Sequence, residues 1–350
     1  MGYFKYALLK NLVKKPVYLI FFVTDVCNAR CRHCFNWSLN QKPNDLTLDE
    51  IENFSKQLDH IEWLALSGGE PFERKDLAEI CGIFLKNNSV SQITIPTNGL
   101  SPKLIYNTIK QVLELPFNFK LSVNLSIDGM EKTNDEIRGV RGGFKKAIET
   151  YGLLKNLKNN KNFALRVNTT ISNKNYNKIK QLNNYIIKNM PLIDSHNFEI
   201  MRGTPKDKEF SPPSLQDILY LKKDLYSIWD NNQFFPDSKI KSKTARAIKK
   251  YLLDIYIKTI KTKKQLIPCY AGRTHAVFGA NGDLFLCELL PKIGNLRKNS
   301  FNQLWNSDIA NNQRKQIKNK GCYCNHSCFQ NSNLIFNFNS YPRILLKFFD

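Results

Sequence analysis

Between residues 17 and 203 the chain alternates six strand-like runs with segments of helical character. The runs are "VYLIFFV" (17–23), "IEWLALS" (61–67), "SQITIP" (91–96), "FKLSVNLSI" (119–127), "FALRVNTTI" (163–171) and "NFEIM" (197–201). Helices are expected from Thr47, from about Asp76, after Pro102, from Gly143 and from Asn175, with more beyond Pro213. "TLDE" at 47–50 is a capping box, in which Thr47 and Glu50 each satisfy a backbone donor left free by the first helical turn. Apolar strands recurring between helices predict a parallel sheet covered by helices. Eight such units would close a barrel in about 250 residues. Six within 17–203 predict an α/β fold, a partial (β/α)6 TIM-like barrel.

In such a sheet ligands gather at the carboxyl ends of the strands. The conspicuous polar clusters all fall there. Three cysteines follow the first strand, "SGGEPF" (67–72) the second, "TNG" (97–99) the third and "SIDG" (126–129) the fourth, with "NTT" (168–170) at the fifth. The cysteines are Cys27, Cys31 and Cys34, spaced C-x3-C-x2-C. A structural zinc site normally takes four protein ligands. A site with three either borrows a fourth or keeps a position open for something that reacts. His33 lies between two of the cysteines, awkwardly for a ligand to the same metal.

The remaining cysteines are Cys81, expected as a small buried hydrophobe on a helix, and a late group of Cys269, Cys287, Cys322, Cys324 and Cys328. In a reducing compartment such clusters ligate metal more often than they form disulfides. Around them, "HAVFGANGDLFLCELL" reads as a β-hairpin turned on Asn281-Gly282. "FNQLWNSDIANNQRKQIK" reads as an amphipathic helix, and the tail "LIFNFNSYPRILLKFFD" is apolar and basic, expected to pack back on the body rather than to rest on a membrane surface. The expected division is a basic N-terminal segment (1–15), the barrel (16–205), a helical connector (206–265), a small α+β unit (266–330) and a tail (331–350).

Composition narrows the partners. With 42% hydrophobic and 23% charged residues the chain is globular, not disordered. The net charge of +22 invites an RNA reading, but Lys is spread along the whole chain with no stripe of Lys/Arg interleaved with aromatics. No apolar run reaches the ~18 residues of a membrane span. The basic N-terminus lacks an apolar h-region and a cleavage site, so the expected compartment is the cytoplasm.

Taken together, the C-x3-C-x2-C loop, "GGEP" and "SIDG" resemble the radical S-adenosylmethionine (SAM) enzymes, over almost the whole chain. The resemblance implies that Cys27, Cys31 and Cys34 hold a [4Fe-4S] cluster whose fourth iron is left to SAM. It implies reductive cleavage of SAM to a 5′-deoxyadenosyl radical, which abstracts a substrate hydrogen. It places His33 against adenine, Gly68 and Gly69 where backbone must approach closely, Glu70 at the SAM ammonium, with Pro71 completing the motif, and Ser126 and Asp128 at the ribose hydroxyls. Asn168 is a further contact, and Arg138 or Arg166 a partner for the SAM carboxylate. The late cysteines resemble the SPASM or shorter Twitch domains, implying an auxiliary [4Fe-4S] cluster. Five cysteines ligate one four-iron cluster fully but not two; Cys269, Cys287 and Cys328 are the firmer ligands, while Cys322 and Cys324 compete for the fourth place. Four thiolates also suit zinc. Glu288, next to Cys287, is the candidate for taking a proton when the substrate radical is oxidised.

The expected function is radical modification of a peptide or protein side chain, with a small carbohydrate or cofactor precursor as the alternative and flavodoxin or ferredoxin as electron donor. RNA modification, or a non-catalytic iron-sulfur or zinc scaffold, are readings of other classes.

Overall fold

A computed structural model describes residues 14–35, 44–232, 238–324 and 326–349. Six parallel strands form the body: β1 (Tyr18–Thr24), β2 (Trp63–Gly68), β3 (Gln92–Thr97), β4 (Lys120–Ser126), β5 (Phe163–Ile171) and β6 (Ser195–Ile200). They lie side by side in chain order and in continuous parallel register. The helices between them are α1 (Leu48–Ser55), α2 (Leu77–Asn88), α3 (Pro102–Leu113), α4 (Glu131–Arg138), α5 (Gly143–Leu154) and α6 (Ile179–Asn189).

Strand periodicity divides the apolar residues between two spaces. Leu19, Phe21, Leu64, Leu66, Ile93, Ile95, Val123 and Leu125 point to the helix side and pack in the main core. Their neighbours, among them Ile20, Phe22, Ala65, Thr94, Asn124 and Asn168, line a lumen of about 730 Å³. This is the expected partial barrel. The Thr47–Glu50 capping box closes as read from the sequence, the Glu50 carboxylate accepting from the Thr47 backbone N–H. Cys81 is fully buried in the core, as expected.

After β6 come two helices, α7 (Leu215–Asp230) and α8 (Lys239–Thr262), which carry the connector. The expected hairpin forms as β7 (His275–Phe278) and β8 (Asp283–Phe285), with Gly282 at φ +86° in its turn, and β9 (Gly294–Asn295) follows. Strand β7 pairs in parallel with β1, Tyr18 opposite His275, so the hairpin continues the barrel sheet. The single helix expected at 301–318 is two, α9 (Phe301–Trp305) and α10 (Asp308–Lys318), because Ser307 caps a new start. The chain ends in α11 (Ser327–Phe336) and α12 (Tyr341–Phe349).

Candidate active site

A cleft of about 230 Å³ opens at the carboxyl ends of β1–β4, lined by Cys27, Cys31, Cys34, the Ser67–Pro71 turn, Pro96–Asn98, Ser126 and Arg138. The loop carrying the cysteines is held on three sides by backbone. On one side, Gly69 N–H donates to Thr24 O and Glu70 N–H to Val26 O, both at 2.8 Å. A Cβ on Gly69 would lie 2.1 Å from Val26 O, and one on Gly68, at φ +123°, 2.3 Å from Thr24 O. The close approach expected at Gly68 and Gly69 is therefore made first by the root of the cysteine loop.

On the second side, Arg30 and Arg32 N–H donate to the carbonyls of Arg138 and Ile137 at the end of α4. On the third side, residues after β6 fold back: Lys206 N–H donates to Cys34 O and Asp207 N–H to Arg32 O, each at 2.9 Å, while the Arg32 guanidinium pairs with Asp207 at 2.6 Å. Arg202 stacks on Phe35 at 5.1 Å. The expected barrel–connector boundary at 205/206 falls inside this segment. Lys206, which lines the cleft, and Arg202 were missed because only their distance from the cysteines along the chain was legible.

Burial pushes the Cys27 and Cys31 thiols toward the neutral form. It raises Cys27 and takes Cys31 up to about 12, Arg138 opposing only in part. Ionising them needs a strong local positive charge, such as bound iron supplies. Among the described residues no three His, Cys, Asp or Glu side chains gather within the coordination sphere of one ion. A four-iron cube binds each thiolate on a separate iron, so thiols spread around one cleft suit it better than they suit a single zinc. The residues present fit the expected cluster.

Glu70 is 3% exposed, lines the cleft and accepts from Thr97 Oγ1 and from Asn98 N–H, each at 2.8 Å. Burial raises its carboxyl to about 7 against those hydrogen bonds. The unfolded chain ionises at about 4.5, so without ligands the fold loses stability as pH rises from there to about 7. Glu70→Gln is expected to flatten that loss, amounting to at most about 3 kcal/mol, in denaturant titrations across this window. An unchanged slope would show that Glu70 is ionised throughout.

Two of the residues expected at SAM lie off the cleft wall. Asp128 is fully buried. Its carboxylate binds the Arg138 guanidinium at 2.7 Å and accepts from Thr170 N–H at 2.7 Å, which sets Arg138. His33 lies over Phe210, ring centres 6.4 Å apart, with Nε2 3.8 Å from Asp128, instead of on the wall where adenine was expected. Ser126 and Pro71 do line the cleft. Of the two arginines, Arg138 reaches the cleft, with its buried Nε lacking a hydrogen-bond partner. Arg166 instead donates to Ser122 Oγ at 2.8 Å, on the barrel strands. Asn168 lines the lumen, not the cleft.

Cleft and lumen meet at Cys34, Ser67, Gly68 and Pro96, which line both. The lumen continues past Glu199 and Asn331 into a side pocket of about 130 Å³ between β6, α7 and α8. Lys249 lines that pocket; burial, then Arg166, brings its amine down to about 8.

On the far side of β1, Cys269, Cys287, Cys322 and Cys324 form a second thiol group. Cys287, Cys269 and Cys322 share one apolar cluster, and Cys269 and Cys287 both feel the charge of Cys324. Burial raises all four, Cys269 to about 11. Both Cys322 and Cys324 therefore stand in the group. Cys328 falls in α11, and its side chain lies outside the described residues. Four buried thiols fit an auxiliary cluster.

Glu288 lines the lumen, as a catalytic carboxylate would. Burial opposes its charge, but His326 at 2.7 Å and Arg202 at 2.8 Å outweigh this and hold the carboxyl well below the usual carboxylate range. The same contact orients Arg202.

Two family matches agree with these two thiol groups. Residues 21–182 match the radical SAM superfamily, and residues 269–329 match the SPASM iron-sulfur cluster-binding domain. The AdoMet-dependent heme synthase of Methanosarcina barkeri is 27% identical over 338 residues, spanning 90% of this chain and 90% of that protein. Among solved structures, anSMEcpe with bound AdoMet superposes with a TM-score of 0.64 at 17% identity, over 95% of both chains. Streptococcus suis SuiB bound to S-adenosylmethionine gives 0.61 at 18% identity, over 88% of this chain and 70% of that one. No helix among the described residues is long and apolar enough to cross a membrane.

Proposed function

Because residues 21–182 form a radical SAM domain and residues 269–329 a SPASM domain, we propose that the chain modifies a peptide or protein side chain drawn into the barrel lumen. Cluster and SAM, when bound, supply one-electron cleavage of the sulfonium and a hydrogen-abstracting species. The protein's part is to hold and exclude. Cys27, Cys31 and Cys34 hold the cluster; Glu70 offers carboxylate oxygens to an ammonium and Arg138 a guanidinium to a carboxylate. Ser126 and Lys206 line the same cleft.

The observation that carries the reading is the continuity of three spaces. A 230 Å³ cleft opens on a 730 Å³ lumen with a 130 Å³ branch, room for a chain segment with one side chain set apart. SuiB bound to a precursor peptide and anSMEcpe bound to a peptide have the same fold, which supports the substrate class. The second reading, a cofactor precursor, is favoured by the heme synthase likeness over nine-tenths of both chains. Electrons are proposed to come from a flavodoxin or ferredoxin.

Anaerobic reconstitution with dithionite and SAM is the test. Release of 5′-deoxyadenosine is the expected result, rising when a peptide substrate is added. No release would leave a scaffold; release stimulated by a tetrapyrrole but by no peptide would select the second reading. Binding to RNA that falls steeply with salt would revive RNA as substrate.

A further inference from the structure

The last helix does two things at once. Ile344 of α12 turns inward and packs with Tyr251, Ile255, Ile267 and Leu334, so the tail is seated on the body as its sequence suggested. The opposite side of the same helix is left in solvent. Leu345 is 56% exposed, Leu346 69% and Phe349 73%, and nearby on α8 Ile240 is 72% exposed. These are adjacent surfaces: Lys243, one turn from Ile240, sits 4.8 Å above the Phe348 ring and 5.8 Å above that of Phe349. Single exposed apolar residues are ordinary, but several clustered on one helix face mark an interaction surface.

Charge selects the partner. Residues 239–250 of α8 carry six Lys or Arg and no Asp or Glu, and residues 338–349 add Arg343 and Lys347 with no acid. Lys239, Lys241, Lys243 and Arg343 are exposed around the apolar residues. Lys347 is engaged with Asp254 at 3.1 Å and helps fix α12 in place. A short helix with leucines and a phenylalanine on one side, rimmed by lysines, is built to lie in an interface plane, its apolar side among acyl chains and its lysines at anionic headgroups. At nine residues α12 is far too short to span.

We propose that α12 and the first turns of α8 form a docking surface for an anionic lipid membrane, holding the enzyme peripherally at the bilayer. A second copy of the chain would also cover leucines, but the exposed Lys239, Lys241, Lys243 and Arg343 would then face their own like across a two-fold and repel. The basic rim suits a partner that is negative throughout.

Flotation of the full-length protein with vesicles tests this. Binding is expected to vesicles of phosphatidylcholine mixed with phosphatidylglycerol, not to phosphatidylcholine alone, and to weaken as salt rises. Leu345→Asp with Leu346→Asp should abolish it while leaving thermal unfolding unchanged, since both side chains already face water. Lys239→Gln, Lys241→Gln and Lys243→Gln should each weaken it by about fivefold. Equal binding to both vesicle types, or undiminished binding of the double Asp variant, would overturn the proposal. So would a wild-type dimer that the double Asp variant dissociates, or RNA binding without vesicle binding.

Discussion

Cys31→Ala is expected to lower the iron of the anaerobically reconstituted protein from about eight atoms per chain to about four and to abolish SAM cleavage. Burial takes the Cys31 thiol up to about 12, and the Arg138 charge opposes that rise. With this thiol gone, two thiolates remain for a cube that needs three, and the vacated iron faces a cleft open to solvent and oxidant. The second thiol group lies across β1 and keeps its own four side chains, so its iron should persist. Iron analysis together with electron paramagnetic resonance of the reduced protein separates the sites. A variant that retained eight irons and cleaved SAM would remove Cys31 from the ligand set.

Gly69→Ala is the second large effect, and it touches no proposed ligand. The added methyl would meet a backbone carbonyl, Val26 O, at 2.1 Å, with no flexible side chain to give way. Relief requires the loop after β2 to part from the loop after β1, breaking the Gly69–Thr24 and Glu70–Val26 hydrogen bonds. The expected cost is about 4 kcal/mol or more in denaturant unfolding, with the first cluster failing to assemble although every cysteine is present. Gly82→Ala, where the nearest atom is a Leu115 methyl at 3.8 Å, serves as the control and should load normally. Normal iron uptake by Gly69→Ala would show that the cysteine loop stands without this contact.

Much of this was legible in the chain because it is local. Strand and helix periods, the Thr47 cap and the Asn281-Gly282 turn are set by residues within a few positions of one another. Cluster positions at strand ends follow from topology once the strands are known. What stayed illegible depends on long-range closure or on side-chain direction. Helix α4 is almost wholly polar and shows no apolar stripe, yet its last turn holds the cysteine loop. Asp128 and His33 have residue types suited to a ligand, but spacing cannot say which way a side chain in a turn will point; here they face each other and Arg138. Arg202 and Lys206 join the site only because β6 ends beside β5 and returns the chain across the cysteines.

The parallel pairing of β7 with β1 makes the two halves of the protein inseparable. A fragment ending before residue 270 would not be a trimmed catalytic core; it would bare the hydrogen-bonding rim of Tyr18–Phe21, a template on which other chains could stack. The same lamination ties the spacing of the two thiol groups to neighbouring ribbons rather than to a hinge. Any electron passing between them crosses a gap that folding itself has gauged.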